Sequence, residues 1–340
     1  MIPKLHIANT FFEWELETDS NIPLSEAFNQ NPIYLQLQFL PILYADAMIV
    51  TDRPRLSLEI PKLFTFDDTL FPRDAEIESW GASQLIAKWA KRHGLTYHMP
   101  DWQIVKQINS KQFSFENSPK LPGSALLTDE AQAKEWLKSF EGKKVLKTCF
   151  GLSGKGHLFV EKGAPISSFL QKQWDKGLPV IGEPWVERVL DFSTQWQIDT
   201  EGKVHYLGAT LCQNDERGQY RSNTVGEEKL VFDNHLSFLA QHREIAEPLL
   251  HTIAQLGFFG NIGIDAMIYN PEEPRLHPVV EINARKTMGW AALAFQKRHC
   301  PGKTICFRFA HGEQGYLPHQ LSLKNGKTIH FKRNLTIYRK

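Results

Sequence analysis

Asn261-Ile-Gly-Ile-Asp-Ala-Met-Ile-Tyr269, then Asn270-Pro-Glu-Glu-Pro274, then Arg275-Leu-His-Pro-Val-Val-Glu-Ile-Asn283 is the stretch that decides the fold. The first nine residues alternate as a buried strand does, the next five form a turn, and the last nine read as a second strand. Antiparallel pairing brings Asp265 close to Glu281 and Asn283. Side chains 281 and 283 share one face because strand side chains alternate with period two. Two carboxylates and an amide oxygen are hard ligands, suited to Mg²⁺ held between protein and phosphate. Taken alone, the pair also reads as a surface hairpin with solvated acids. The apolar runs around the acids argue against that, because a buried carboxylate needs a cation or a raised pKa.

Working outward, the 340 residues suffice for two or three domains with substantial cores. A composition of 42% hydrophobic and 23% charged residues is that of a soluble globular protein. The formal net charge of +1 supplies no global field for nucleic acid or an anionic membrane. The longest nearly apolar stretch, 39–50, contains Asp46 and is too short to span a bilayer. The N-terminus lacks the pattern of a signal peptide, and Cys149, Cys212, Cys300 and Cys306 have no CxxC spacing. A cytoplasmic protein with reduced thiols and a small-molecule task is expected, with no nucleic acid or membrane partner.

The first hundred residues read as a small α/β unit. Leu5-His-Ile-Ala8 and Ala47-Met-Ile-Val50 are strand-like, and 79–93 reads as a helix closed by Gly94. Residues 101–109 look like a connection into a second domain. Thr128 suits the N-cap of a helix through Phe140, followed by strands at 143–149 and 157–161. From Val180 on, β signals dominate, interrupted by one long helix between Asn234 and Leu256. The expected class is α+β: an N-terminal α/β domain (1–105), a small lobe (106–186) and a large lobe (187–340) ending in a basic β-like tail.

Between two of these strands lies Lys147-Thr-Cys-Phe-Gly-Leu-Ser-Gly-Lys-Gly156. Glycines 151, 154 and 156 let backbone N–H groups approach a polyphosphate, and Lys147 can aim an ammonium at the same oxygens. The spacing is neither a Walker A loop nor a Rossmann fingerprint. Next, Glu183-Pro-Trp-Val186 and Asp191 suggest an inter-lobe hinge, whose backbone at Trp185 and Val186 suits an adenine edge and whose Asp191 suits a ribose hydroxyl. The polar loop 213–223 carries Arg217 and Arg221, of which Arg221 is the better anion clamp. None of the 13 histidines has a zinc spacing, and Ser-His-Asp catalysis lacks its GxSxG anchor.

In this order, Lys111, Lys147 with its glycine loop, Glu183 to Val186, Asp191, Asp265 and Glu281-Ile-Asn-Ala-Arg285 resemble the ATP-grasp superfamily over about residues 105–295. A vaguer similarity, to uncharacterised bacterial ATP-grasp-like proteins, takes in Glu13-Trp-Glu15 and Trp80-Gly81 and supplies no substrate. The loop departs from the commoner ligases, since Cys149-Phe150 stands where a proline often follows the lysine. The resemblance implies two lobes enclosing ATP. Lys111, Lys147 and the loop (Gly151, Ser153, Gly154, Gly156) would hold phosphates, Glu183 with Trp185 and Val186 adenine, and Asp191 ribose. Asp265, Glu281 and Asn283 would hold Mg²⁺, with Mn²⁺ as a substitute. Arg285 and Arg221 would serve catalysis.

The activity implied is an ADP-forming carboxylate–amine ligase acting on a small-molecule or peptide carboxylate and an amine, in a monomer or homodimer. A kinase on the same fold, a nucleotide-binding module without turnover, and a structural protein with a coincidental glycine loop remain the alternatives. Glu13-Trp-Glu15 suits either amine recognition or a surface β-edge.

Overall fold

The structure is a computed structural model that describes residues 3–53, 62–72, 74–151, 156–216, 218–312, 314–323 and 325–339. Ser153, Gly154 and Arg217 lie outside the described residues, as do Lys324 and Lys340 of the tail.

Four short strands, β1 (Lys4–Ile7), β2 (Ala47–Val50), β3 (Lys62–Thr65) and β4 (Glu76–Ser79), form a parallel sheet in the order β3-β2-β1-β4. Asn9 ties the end of β1 to the end of β4: its Oδ1 accepts from Trp80 N and Gly81 N, and its Nδ2 donates to the Gly81 carbonyl. A Cβ on Gly81 would stand 2.7 Å from the Phe12 ring, so glycine is what lets the helix Phe12–Thr18 pack there. That helix carries the buried Glu15, which accepts from Ser83 Oγ (2.6 Å) and Leu85 N (3.1 Å) at the start of helix Gln84–Arg92. Residues 79–82, read from the sequence as helix, are instead strand end and turn, because Ser83 is the N-cap. Residues 101–109 are likewise not a bare connection. Asp101 caps a helix, Trp102–Asn109, by accepting from Gln103 N and Ile104 N.

A second sheet is antiparallel, with β5 (Ala125–Leu127), β6 (Lys144–Thr148), β7 (His157–Phe159) and β8 (Val180–Pro184) in the order β5-β8-β6-β7. Trp136 from helix Glu130–Lys138 lies flat over Gly182, where a Cβ would approach to 2.7 Å. Asp129, one residue beyond Thr128, is that helix's N-cap.

The largest sheet is antiparallel throughout, in the order β13-β12-β9-β10-β11-β14-β17. Its strands are β9 (Arg188–Ile198), β10 (Val204–Asn214), β11 (Tyr220–Val225), β12 (Gly260–Tyr269), β13 (Arg275–Asn283), β14 (Ile305–His311) and β17 (Arg333–Arg339). A small hairpin, β15 (Gln320–Ser322) with β16 (Thr328–His330), precedes the last strand. The long helix Leu236–Gln255 covers the sheet as expected, and a second helix, Met288–His299, was not anticipated. Its apolar stripe contains Gly289, Ala291 and Ala292, a small-residue run that periodicity does not separate from a strand. One continuous core joins the parallel sheet to Ala291, Phe295, Phe307 and Leu335 at the far side of the large sheet. Among the described residues no helix is long and apolar enough to cross a membrane.

His242 is fully buried, its Nδ1 donating to the Pro278 carbonyl (2.8 Å) and its Nε2 accepting from Thr194 Oγ1 (2.7 Å). Burial pushes its pKa down to about 4. The folded value is depressed, so its stabilisation is present above the unfolded pKa near 6.5 and is lost as pH falls toward 4. Urea unfolding at pH 7 and pH 5 checks this. His242→Gln is expected to lose about 2 kcal/mol less than the parent over that interval, and equal losses would refute the neutral, buried imidazole.

Candidate functional site

Strands β12 and β13 pair with Asp265 opposite Glu281 and Gly263 opposite Asn283, the juxtaposition read from the sequence. Gly263 is needed because a Cβ there would stand 2.5 Å from the Thr287 methyl carbon. Two neighbouring helices fix the end of β13. Ser114 Oγ accepts from Ile282 N (3.2 Å), and Asn109 Oδ1 accepts from Ala284 N (2.8 Å). The Asp265 carboxyl is held up to about pKa 6 by burial and then by the Glu281 charge, against hydrogen bonds from Ser193 and Asn283 and the charge of Arg285. Asn283 Nδ2 donates to Asp265 Oδ2 at 3.1 Å.

Cations line the same cleft as these acids. Lys111, at the start of helix Lys111–Asn117, places Nζ 2.7 Å from Glu281 Oε1 and 3.3 Å from the Gly151 carbonyl. Burial works against its charge, but the Glu281 carboxylate outweighs this and raises its pKa. Lys147 on β6 pairs with Glu183 on β8, both nearly buried. Opposite Lys147 in the ladder is His157, whose pKa burial and the charges of Lys147, Lys111 and Arg188 press down to about 3. Lys111, Lys147 and Arg188 thus gather around His157, each paired with a carboxylate that a polyanion could displace.

Arg285 lies just past the end of β13, not on it. It is nevertheless turned back, with Nη2 donating to Asn283 Oδ1 (2.9 Å) and Nε to Glu13 Oε1 (2.5 Å). A chain of contacts thus runs from Glu13 through Arg285 and Asn283 to Asp265. Lys286, the next residue, is held from the N-terminal sheet. Its ammonium is fully buried, 2.5 Å from Glu78 Oε1 and 4.6 Å from the centre of the Trp290 ring. Burial lowers the Lys286 pKa, and Lys286 with His6 and Lys4 draws the Glu78 carboxyl far down against its own desolvation.

One cleft of 450 Å³ gathers most of the expected residues: Lys111, Lys147, Gly151, Asp191, Asp265, Glu281, Asn283 and Arg285. Glu183 lines an adjoining slot of 20 Å³ with Lys111, Lys147 and His277. Asp191 accepts from Arg188 Nη1 (3.0 Å) and Asn214 Nδ2 (3.0 Å). Trp185, Val186 and Gly156 do not line the cleft. The Trp185 N–H is already given to the Lys143 carbonyl and its ring stacks under Arg188 at 4.6 Å. Gly156 has φ +89° and sits against the Thr148 hydroxyl, which fits a turn. Arg221 is not brought to the cleft, because it pairs at 2.7 Å with Asp215 and stays half exposed.

Sequence reading missed His157, Arg188, Asn214 and Arg333, which line the cleft beside Trp80. Each is a single polar or aromatic residue without a diagnostic spacing. Glu13 was noticed, but on a helix it is an inward-facing residue of the site and not a β-edge. A second cavity, of 620 Å³, lies on the other side of Arg285 and contains none of the other expected site residues. Among the described residues no group of three or more His, Cys, Asp or Glu is placed to hold a metal unaided.

No protein-family model matches the chain, and no curated protein matches it in sequence. Solved structures do match in fold. The biotin carboxylase domain of Hydrogenobacter thermophilus 2-oxoglutarate carboxylase, in complex with MgADP, ADP and bicarbonate, is 13% identical with a TM-score of 0.54, over 92% of this chain and 76% of that one. Campylobacter jejuni biotin carboxylase, in a β,γ-ATP complex, is 14% identical with a TM-score of 0.53, over 94% and 78%. N5-carboxyaminoimidazole ribonucleotide synthetase, as an ADP complex, is 12% identical with a TM-score of 0.50, over 92% and 83%. The chain has the ATP-grasp fold.

Truncating one partner of a buried ion pair leaves the other charge uncompensated. Lys147→Met is therefore expected to destabilise the protein by about 3 kcal/mol by urea unfolding, and the added change Glu183→Met to restore much of that. A neutral single mutant would show that Glu183 reaches solvent.

Proposed function

We propose that the chain is an ATP- and Mg²⁺-dependent ligase that activates a carboxylate as an acyl phosphate for attack by an amine, releasing ADP. What carries the reading is one arrangement. Lys111, Lys147 and Arg188 line a single 450 Å³ cleft together with Asp265 and Glu281, in a fold whose solved neighbours hold ADP or MgADP. Each cation is held by a carboxylate, Lys111 by Glu281, Lys147 by Glu183 and Arg188 by Asp191, and Mg-nucleotide would complement both charge sets.

In this reading Lys111 and Lys147 exchange their carboxylate partners for phosphate oxygens, aided by Gly151 and the rest of its loop. Asp191 and Asn214 lie where the cleft continues toward the ribose. Adenine would take the slot beside Glu183, which at 20 Å³ holds about one water and must widen to admit a base. Asp265, Glu281 and Asn283 would hold Mg²⁺, which supplies charge neutralisation at the transferring phosphoryl group. Arg285 then orients the substrate carboxylate. A carboxylate oxygen attacks the γ-phosphorus as its bond to the β-bridging oxygen breaks and ADP leaves. The amine nitrogen next attacks the acyl carbon, phosphate departs, and the amine loses a proton. The chain's contribution is alignment and electrostatics. The units 1–105, 106–186 and 187–340 are taken as a nucleotide cleft built by the last two and completed by the first.

Thermal melting and ADP release test this. Mg-ATP is expected to raise the melting temperature of the parent and of Arg285→Ala, but not of Glu281→Gln. Arg285→Ala is expected to lower carboxylate-dependent ADP release about 100-fold or more. Unchanged melting of the parent in Mg-ATP contradicts the nucleotide site. ADP release that needs no amine and leaves a stable phosphorylated product favours a kinase on the same fold.

A further inference from the structure

Resting on the reading of Arg285 as the carboxylate-orienting residue, we propose that the substrate is an amino acid with a second carboxylate. Its ammonium binds Glu13, one carboxylate binds Arg285, and the other binds Arg333.

The argument starts from the Glu13–Arg285 pair, 2.5 Å apart, with both side chains 11% exposed. A plain carboxylate that drew Arg285 away would leave Glu13 buried without a counter-charge, which is costly. A substrate bearing ammonium beside carboxylate exchanges partners with the pair instead. Arg285 receives the carboxylate, Glu13 receives the ammonium, and no charge is stranded. The same end of the cleft offers further polar groups. Thr10 lines it with a hydroxyl that is buried without a hydrogen-bond partner, and Tyr34 presents a phenol whose pKa is raised by burial and then by the Glu13 charge.

Arg333 accounts for the second carboxylate. Its Nη2 donates to the Phe309 carbonyl at 3.0 Å, while its Nε is buried with no acceptor. Among the described residues no Asp or Glu pairs with it, although it lines the cleft. A guanidinium so placed is completed by an incoming anion through a bidentate fork. Ile33, Leu37 and Met288 line the same cleft and suit the carbon skeleton of such a substrate.

The test measures ADP release with Mg-ATP, an amine panel, and three sets of carboxylates: acidic amino acids, their side-chain amides, and the diacids lacking the amino group. Acidic amino acids are expected to exceed both other sets by at least about tenfold in kcat/KM, since each missing group leaves a buried charge unpaired. Glu13→Gln is expected to abolish the discrimination against the deaminated diacids, and Arg333→Gln that against the amides. Mg-ATP melting shifts should persist in both variants, which separates a lost subsite from a lost fold. Diacids or amides that match the acidic amino acids overturn the proposal while the ligase reading stands, as does ADP release with none of the amino acids despite Mg-ATP binding. Absence of Mg-ATP binding overturns the ligase reading, and this proposal with it.

Discussion

Two carboxylates, Asp265 and Glu281, sit opposite each other on β12 and β13 and line the cleft. Burial disfavours the charged form and the like charge of Glu281 adds to the cost, so Asp265 is held up to about pKa 6. Much of the surrounding structure answers that constraint. Lys111 comes from a helix preceding the small sheet, Asn283 donates its amide, and Arg285 folds back past the strand end. Each supplies positive charge or a donor that a nucleotide-bound metal could replace. The arrangement therefore holds together through protein cations and remains convertible to a ligand-bound one.

The N-terminal sheet takes part in this through Lys286. Lys286 follows Arg285 in the chain and is fixed to Glu78 and the Trp290 ring, and its backbone N–H is given to the Trp80 carbonyl. Arg285 is thus pinned between Glu13 on one side and this anchor on the other. The positions of three elements, helix Phe12–Thr18, strand β4 and the turn after β13, are coupled at one guanidinium. The first unit also shares one hydrophobic core with the last strands.

What was legible from residues alone followed from period-two alternation and charge. The hairpin, its register and its acids could be read because Ile-Gly-Ile and Pro-Val-Val bracket polar residues that a buried strand would otherwise exclude. Lys147 was legible from its place at the end of a strand before the glycine loop, whereas Lys111 came from order along the chain, a family pattern and not a geometric one. The rest depended on long-range placement. Arg221 was expected to clamp an anion, but Asp215, six residues away, neutralises it locally. Helix Met288–His299 was hidden by its run of small residues, whereas residues 101–109 were read as a connection although Trp102, Val105 and Ile108 recur at helical spacing. Arg188, His157 and Arg333 are brought to the cleft by strand pairing between distant segments, which no local pattern encodes.

The central claim is that the acids of β12–β13 and the cations of the small sheet enclose one Mg-nucleotide. A crystal structure of the protein with Mg²⁺ and a non-hydrolysable ATP analogue tests it most directly. The account predicts a metal about 2.1 Å from oxygens of Asp265 and Glu281, with the Lys111 and Lys147 ammoniums moved from their carboxylates onto phosphate oxygens. A nucleotide in the cavity beyond Arg285, or one in the cleft with the Lys111–Glu281 and Lys147–Glu183 pairs intact and no metal on the acids, would contradict it.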